Sequence, residues 1–144
     1  MTRLLPAICF AYFSAAALAA PSYPTNVTTP IARTDNTIIG QKNEVPKNPT
    51  VMFYSTEFVP GARTPIHKHP YPHYAYVESG TLTIVQTDTG KSFDIKAGTF
   101  FLEMVDAWHY GINKGSVPVR VLVTDLVPMG VQTNTVLKDT KEAK

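Results

Sequence analysis

The sequence predicts an all-β domain folded as a small barrel or double-sheet sandwich, and three observations carry that prediction. Short β-rich runs recur about every ten residues with turn residues between them. No window of about a dozen residues places apolar side chains at spacings of three and four, so the helical pattern is missing. Two hairpins are well marked: Glu78-Ser79-Gly80 precedes Leu82-Thr83-Ile84-Val85, and Asp88-Thr89-Gly90 precedes Phe93 and Ile95. An immunoglobulin-like sandwich is the alternative, but it offers no reason to gather histidines.

Residues 1–19 read as a secretory signal peptide. Arg3 precedes an apolar run over 4–20, and Ala17-Leu18-Ala19 fits the small-residue cleavage pattern. Cutting after Ala20 would leave Pro21 next, so cleavage after Ala19 is expected, giving a mature chain of about 125 residues. A membrane anchor is the competing reading, but the run contains Pro6 and falls short of the roughly 20 apolar residues a span needs, so no stable anchor is expected. The protein is therefore expected to be secreted, and the Ala-rich signal points to the bacterial periplasm. Cys9, the only cysteine, leaves with the signal, which excludes disulfides and cysteine catalysis from the mature chain.

The formal charge of +2 becomes +1 when Arg3 is removed, and no basic cluster remains, so nucleic acid is not an expected partner. Residues 20–30 form a Pro- and Thr-rich leader that includes the glycosylation triplet Asn26-Val27-Thr28, which matters only in a eukaryotic source. One domain follows over 31–136, a size that buries roughly two thirds of the unfolded surface. The charged stretch 137–144 reads as a frayed tail. Strands are expected at 31–40, 50–60, 64–69, 73–79, 81–88, 92–96, 99–104, 108–113 and 117–127. In the last of these, Val119, Val121 and Val123 share one face.

All four histidines bear on one candidate site. His67 and His69 alternate along a strand and so aim both imidazoles the same way, Pro70-Tyr71-Pro72 turns the chain, and His73 opens the next strand. His109 lies in a later strand. The spacing Gly61, His67, His69, His73, Gly80 followed by Gly98, His109, Asn113 resembles the two motifs of the cupins, small jelly-roll β-barrels. His73 stands where that family usually has Glu, and Met104 and Asp106 take the places of a proline and a glycine.

The resemblance implies a cupin-type jelly-roll barrel in which His67, His69, His73 and His109 bind one divalent transition metal ion with two adjacent positions open. Imidazole donors suit Fe, Mn, Cu, Zn or Ni without distinguishing them. A closed structural zinc is the alternative. Exchanging carboxylate for imidazole at His73 raises the net charge of such a site from one positive charge to two, which favours an anionic ligand. The expected function is a metal-dependent, dioxygenase-like enzyme acting on a small organic molecule, with oxygen-dependent cleavage of an enolisable or thiol-free organic acid as the expected reaction. The alternatives are a non-redox isomerase or lyase acting on a sugar acid, and a non-catalytic metal- or ligand-binding module.

Period two places Ala75 and Val77 inward with His73, Tyr74 and Tyr76 outward, and Gly111 and Asn113 inward with His109. Over 99–104 both parities remain: either Phe101 and Glu103 or Phe100 and Leu102 face the cavity. A buried carboxylate needs a partner, so the solvated reading of Glu103 is preferred. Tyr71, Tyr74, Tyr76 and Trp108 read as packing aromatics, and Arg63 and Asp106 as ordinary loop charges. The resemblance also implies a homodimer formed through an edge strand, for which 31–40 and 117–127 are the candidates.

Overall fold

The computed structural model describes residues 25–139; the expected signal segment, Cys9 and the start of the leader lie outside them, as does the end of the charged tail. Nine strands follow in order: β1 (Thr50–Phe58), β2 (His67–Lys68), β3 (His73–Ser79), β4 (Thr81–Gln86), β5 (Ser92–Lys96), β6 (Phe100–Leu102), β7 (His109–Ile112), β8 (Val119–Val127) and β9 (Val136–Leu137). There is no helix among the described residues. The strands pair antiparallel in two sheets, ordered β1-β8-β3-β6 and β5-β4-β7-β2-β9, and the sheets face one another as a jelly roll.

Alternation builds the interior. In β3, His73, Ala75 and Val77 are buried while Tyr74 and Tyr76 lie on the other face. In β8, Val119, Val121, Val123, Asp125 and Val127 all point inward, so the valine face continues onto a carboxylate. These strands meet Leu82, Ile84, Phe101 and Phe58 in one core between the sheets. Gly80 makes the sharp turn from β3 into β4 at a φ of +74°, and a Cβ there would lie 2.8 Å from Val119 Cγ2 and 2.9 Å from the Pro118 oxygen. Only glycine fits that turn.

Several expected strands are shorter or absent, each for a local reason. The run 31–40 is not a strand: Thr37 to Gly40 form a turn with Gly40 at a φ of +87°, and the segment docks through the Ile38 N–H to the Leu102 oxygen (2.9 Å). The run 64–69 shrinks to His67–Lys68 because Pro65 and Pro70 carry no N–H for a ladder. The tail expected from 137 is paired at its start, with Leu137 opposite His67 and the Lys138 N–H on the Ile66 oxygen (3.0 Å). The run 117–127 cannot be a dimer edge, since β8 is hydrogen-bonded to β1 on one side and β3 on the other.

Candidate metal centre

Strand register brings the four histidines to the end of the space between the sheets. His67 and His109 are direct partners on β2 and β7, so their side chains share a face. His69, two residues beyond His67, joins them through a bridge to Val105. His73 arrives from the opposite sheet at the start of β3. The imidazole centroids of His67 and His69 are 4.9 Å apart, those of His67 and His109 4.4 Å, and those of His69 and His73 4.0 Å.

Each ring is held by its Nδ1. That atom lies 2.8 Å from the oxygen of Pro65 in His67, of Asn134 in His69 and of Ala107 in His109, and 2.8 Å from Asp125 Oδ1 in His73. Every one of these partners can only accept, so each Nδ1 carries the proton and each neutral Nε2 is left with a free lone pair. One ligand atom each from His67, His69 and His109 lie within 4.8 Å of one another, and the same holds for His69, His73 and Glu103.

Glu103 corrects the solvated reading. It is 7 % exposed, its N–H bonds the His73 oxygen (2.9 Å), and its side chain enters the histidine cluster together with Phe101 on the inward parity. Its carboxylate lies 2.8 Å from His109 Nε2, 3.6 Å from His73 Nε2 and 3.9 Å from His69 Nε2. The 2.8 Å approach is off the direction an N–H would take, so the fully buried His109 Nε2 has no hydrogen-bond partner. Two electron-rich atoms thus face one another, an arrangement that either a proton on His109 or a bound cation resolves.

The first outer partner of His73 is Asp125, its register mate on β8. Asp125 Oδ2 accepts from the Tyr54 hydroxyl (2.7 Å) and Oδ1 from Asn134 Nδ2 (2.8 Å). Asn134 also clasps Tyr71 through both backbone groups (3.0 Å each), fixing the turn between His69 and His73. Burial alone would raise the Asp125 carboxyl, but the bonds from His73, Asn134 and Tyr54 hold it below the usual range. Burial and the Asp125 carboxylate together push the Tyr54 hydroxyl up.

Residues 54–125, half of the chain, match the model of the cupin domain family, Cupin_2. The chain belongs to the cupin family. No curated protein matches the sequence of this cupin. Similar solved structures include the polyketide cyclase RemF from Streptomyces resistomycificus, at 22% identity and a TM-score of 0.51 over 62% of this chain and 63% of that one. The oxalate decarboxylase of Lactobacillus farciminis, solved as a formate complex, gives 22% identity and a TM-score of 0.51 over 61% and 26% of the two chains. A structure of the DMSP lyases RdDddP and RnDddQII gives 15% identity and a TM-score of 0.50 over 62% and 44%. The match spans less than two thirds of each of those chains, and the likeness is one of fold.

The donor set of this cupin fits a divalent transition metal. It offers four preset imidazole lone pairs, with a buried carboxylate beside them and an outer carboxylate on a ligand ring, the usual support for a metal-bound histidine. Asp125→Asn should weaken binding of divalent metal about 10–100-fold, read by competition against a chromophoric chelator. Unchanged affinity would show that Asp125 only packs.

Protonation of the metal-free site is also set by burial. Burial first, and His73 second, lower His69 from 6.5 to about 3. Burial likewise lowers His67. In His109 burial is outweighed by the Glu103 carboxylate, and the ring is raised. Burial would raise Glu103, yet His109 and the other imidazoles hold it well below the carboxylate range. A ring with a lowered folded value binds fewer protons than the unfolded chain below pH 6.5, so stability falls as pH drops. Lowered Asp125 and Glu103 add loss in the acid range below about pH 4, while raised His109 contributes stability that is lost as pH rises. The urea midpoint of metal-free protein is therefore expected to fall between pH 6.5 and 4, and His69→Gln to flatten that fall.

The remaining sequence candidates sit apart from the cavity. Arg63 stacks over Tyr110 at 4.4 Å. Asp106 pairs with Lys68 (2.9 Å) and adopts a φ of 53°, a left-handed conformation that favours glycine, the residue whose place it takes in the motif. The Tyr74 hydroxyl bonds Asn43 (2.9 Å), and Trp108 lies beneath Lys68 and Lys138. None of Tyr71, Tyr74, Tyr76 or Trp108 lines the space beside the histidines.

Proposed function

We propose that this cupin is a metal-dependent enzyme acting on a small, enolisable organic molecule, with His67, His69, His73 and His109 holding one divalent transition metal ion and Glu103 moving the substrate proton. The observation that supports it most is the fixing of all four Nδ1 atoms, with the Nε2 atoms of His69, His73 and His109 within 4 Å of the buried Glu103 carboxylate and with His67, His69 and His73 lining a cavity of about 210 Å³. When bound, the ion acts as a Lewis acid on a substrate oxygen. The protein's own part is threefold. The outer hydrogen bonds hold the rings in place, the apolar walls exclude water, and Glu103 is kept ionised and able to accept a proton. A carboxylate is a strong enough acceptor for a C–H or O–H group already acidified by a metal.

The imidazole donors also suit iron, manganese and copper, which favours a dioxygenase-like outcome in which the enolate is oxidised by oxygen. The two outcomes share the enolisation and differ afterwards. Metal-loaded protein is therefore incubated with 1-phenylbutane-1,3-dione in deuterated buffer, following C–H exchange by NMR and dissolved oxygen by electrode. Exchange without oxygen uptake supports non-redox proton transfer, and uptake with cleavage supports the dioxygenase. Tight metal binding with neither activity would instead indicate a binding module. Export to the periplasm belongs to the same proposal, with the exported protein expected to begin at Ala20 on N-terminal sequencing.

A further inference from the structure

We propose that the substrate of this site has an uncharged, predominantly apolar body about the size of a substituted aromatic ring and a single oxygen head that binds as a mono-anion, such as an enolate. This deepens the metal-dependent reading above and rests on it. The first support is the wall chemistry. Behind the histidines the cavity is walled by Phe58, Ala75, Ile84, Phe101, Val121 and Val123, with Leu82 and Gly111 completing the floor. Apart from the histidines and Glu103, no charged side chain lines it among the described residues, and no lysine or arginine reaches it. Tyr54, Thr56, Thr64 and Thr135 also line it, with Pro65 and Leu137, and are less buried than the apolar walls, the Tyr54 hydroxyl being committed to Asp125.

Charge is the second support. Four neutral imidazoles, the Glu103 carboxylate and one divalent ion leave a single positive charge, not the two expected when His73 replaces the family's carboxylate, and the Asp125 carboxylate behind His73 offsets that charge from outside. A head with one negative charge is the most such a site accommodates. A dicarboxylate or a sugar phosphate would leave negative charge in an apolar, cation-free pocket, which is strongly disfavoured. A polyol would find only the threonine hydroxyls near the less buried part of the lining and none on the apolar wall beside Ala75, which counts against a sugar acid.

Size is the third. An apolar cavity of about 150 Å³ is enough to take up benzene, and this one, at about 210 Å³, is larger. Ala75 contributes the smallest side chain of β3, on the face it shares with His73, whereas the space over Gly111 on β7 is already taken by Leu82 and Phe58, 3.4 Å and 3.6 Å from where a Cβ would lie. The wall at Ala75 is therefore where a body attached to a metal-bound head has room to extend.

The test uses the full protein loaded with cobalt(II), whose visible spectrum reports changes at the metal. It is titrated with acetohydroxamate, benzohydroxamate and 4-carboxybenzohydroxamate, which share one mono-anionic head and differ only in the body. Benzohydroxamate is expected to bind at least about tenfold more tightly than acetohydroxamate, and the added carboxylate to abolish that gain. Equal affinity for the aceto and benzo compounds, or a carboxylate variant as tight as benzohydroxamate, overturns the substrate class while leaving the metal site intact. Protein that takes up no cobalt overturns the metal-dependent reading and this inference with it. In Ala75→Leu and, as a second variant, Val123→Phe, the benzo-over-aceto preference should shrink below about threefold, since either side chain fills the wall the ring would touch. A full preference retained in a folded variant places the body elsewhere and overturns the assignment.

Discussion

His109→Ala is expected to leave a folded protein that no longer retains a divalent metal ion. His109 is fully buried, its Nδ1 is committed to the Ala107 oxygen, and its Nε2 has no hydrogen-bond partner. A buried polar atom left this way costs about 1–3 kcal/mol unless something binds it. The variant removes both a donor and the group nearest Glu103. Loss of an outer partner alone lowers metal affinity about 10–100-fold, and loss of a direct ligand should exceed that. After dialysis against a chelator, the variant should hold less than about a tenth of the metal retained by the parent protein. The thermal stabilisation by added metal should disappear too, a term of about 2.7 kcal/mol when free metal is about 100 times Kd. Circular dichroism separates this from simple unfolding. A folded variant with the parent's metal content would remove His109 from the site.

Glu103→Gln is the second large effect, and its pattern is opposite. The amide keeps the shape and can still sit among the rings, but it cannot accept a proton. Metal content should therefore stay at the parent level, while deuterium exchange into 1-phenylbutane-1,3-dione falls about 10²–10⁴-fold, the usual contribution of a placed acid or base. The same variant removes the carboxylate that raises His109. Two results would contradict the assignment. Undiminished exchange would make Glu103 a charge partner only, and loss of metal would make it a ligand.

The extent to which this site could be read from the sequence follows from how local each residue's constraint is. The hairpins around Gly80 and Gly90 and the alternation of β3 and β8 depend on near neighbours, and the expected strands 73–79 and 92–96 coincide with β3 and β5. The histidine spacing brought His67, His69, His73 and His109 forward for the same reason. Glu103 was ambiguous because β6 is only three residues long, too short for alternation to fix its parity. Its inward direction is set by pairing with β3, which no local pattern encodes.

Asp125 could have been found, since it continues the inward positions of Val119, Val121 and Val123 by the same period. Asn134 could not. It lies in an irregular segment and matters only because that segment folds back over the Pro70-Tyr71-Pro72 turn. The pairing of Leu137 with His67 has the same origin: β2 leaves an open edge, and whichever segment returns there becomes β9.

Glu103 also changes what His73 means. The carboxylate missing from the first motif is replaced from another strand, and a second one, Asp125, bonds the substituted histidine from outside. The site is consequently less cationic than the motif alone implies, and that balance underlies both the proposed proton transfer and the preference for a mono-anionic ligand.

The most direct measurement is elemental analysis of the protein purified from its own source, without added metal and without an affinity tag. The two ligand groups that share His69, one with His67 and His109 and one with His73 and Glu103, predict about one divalent transition metal ion per chain, lost on prolonged chelation and regained with one-to-one stoichiometry. Protein that emerges folded and metal-free, and that takes up no divalent ion when offered one, would contradict the metal centre at its root.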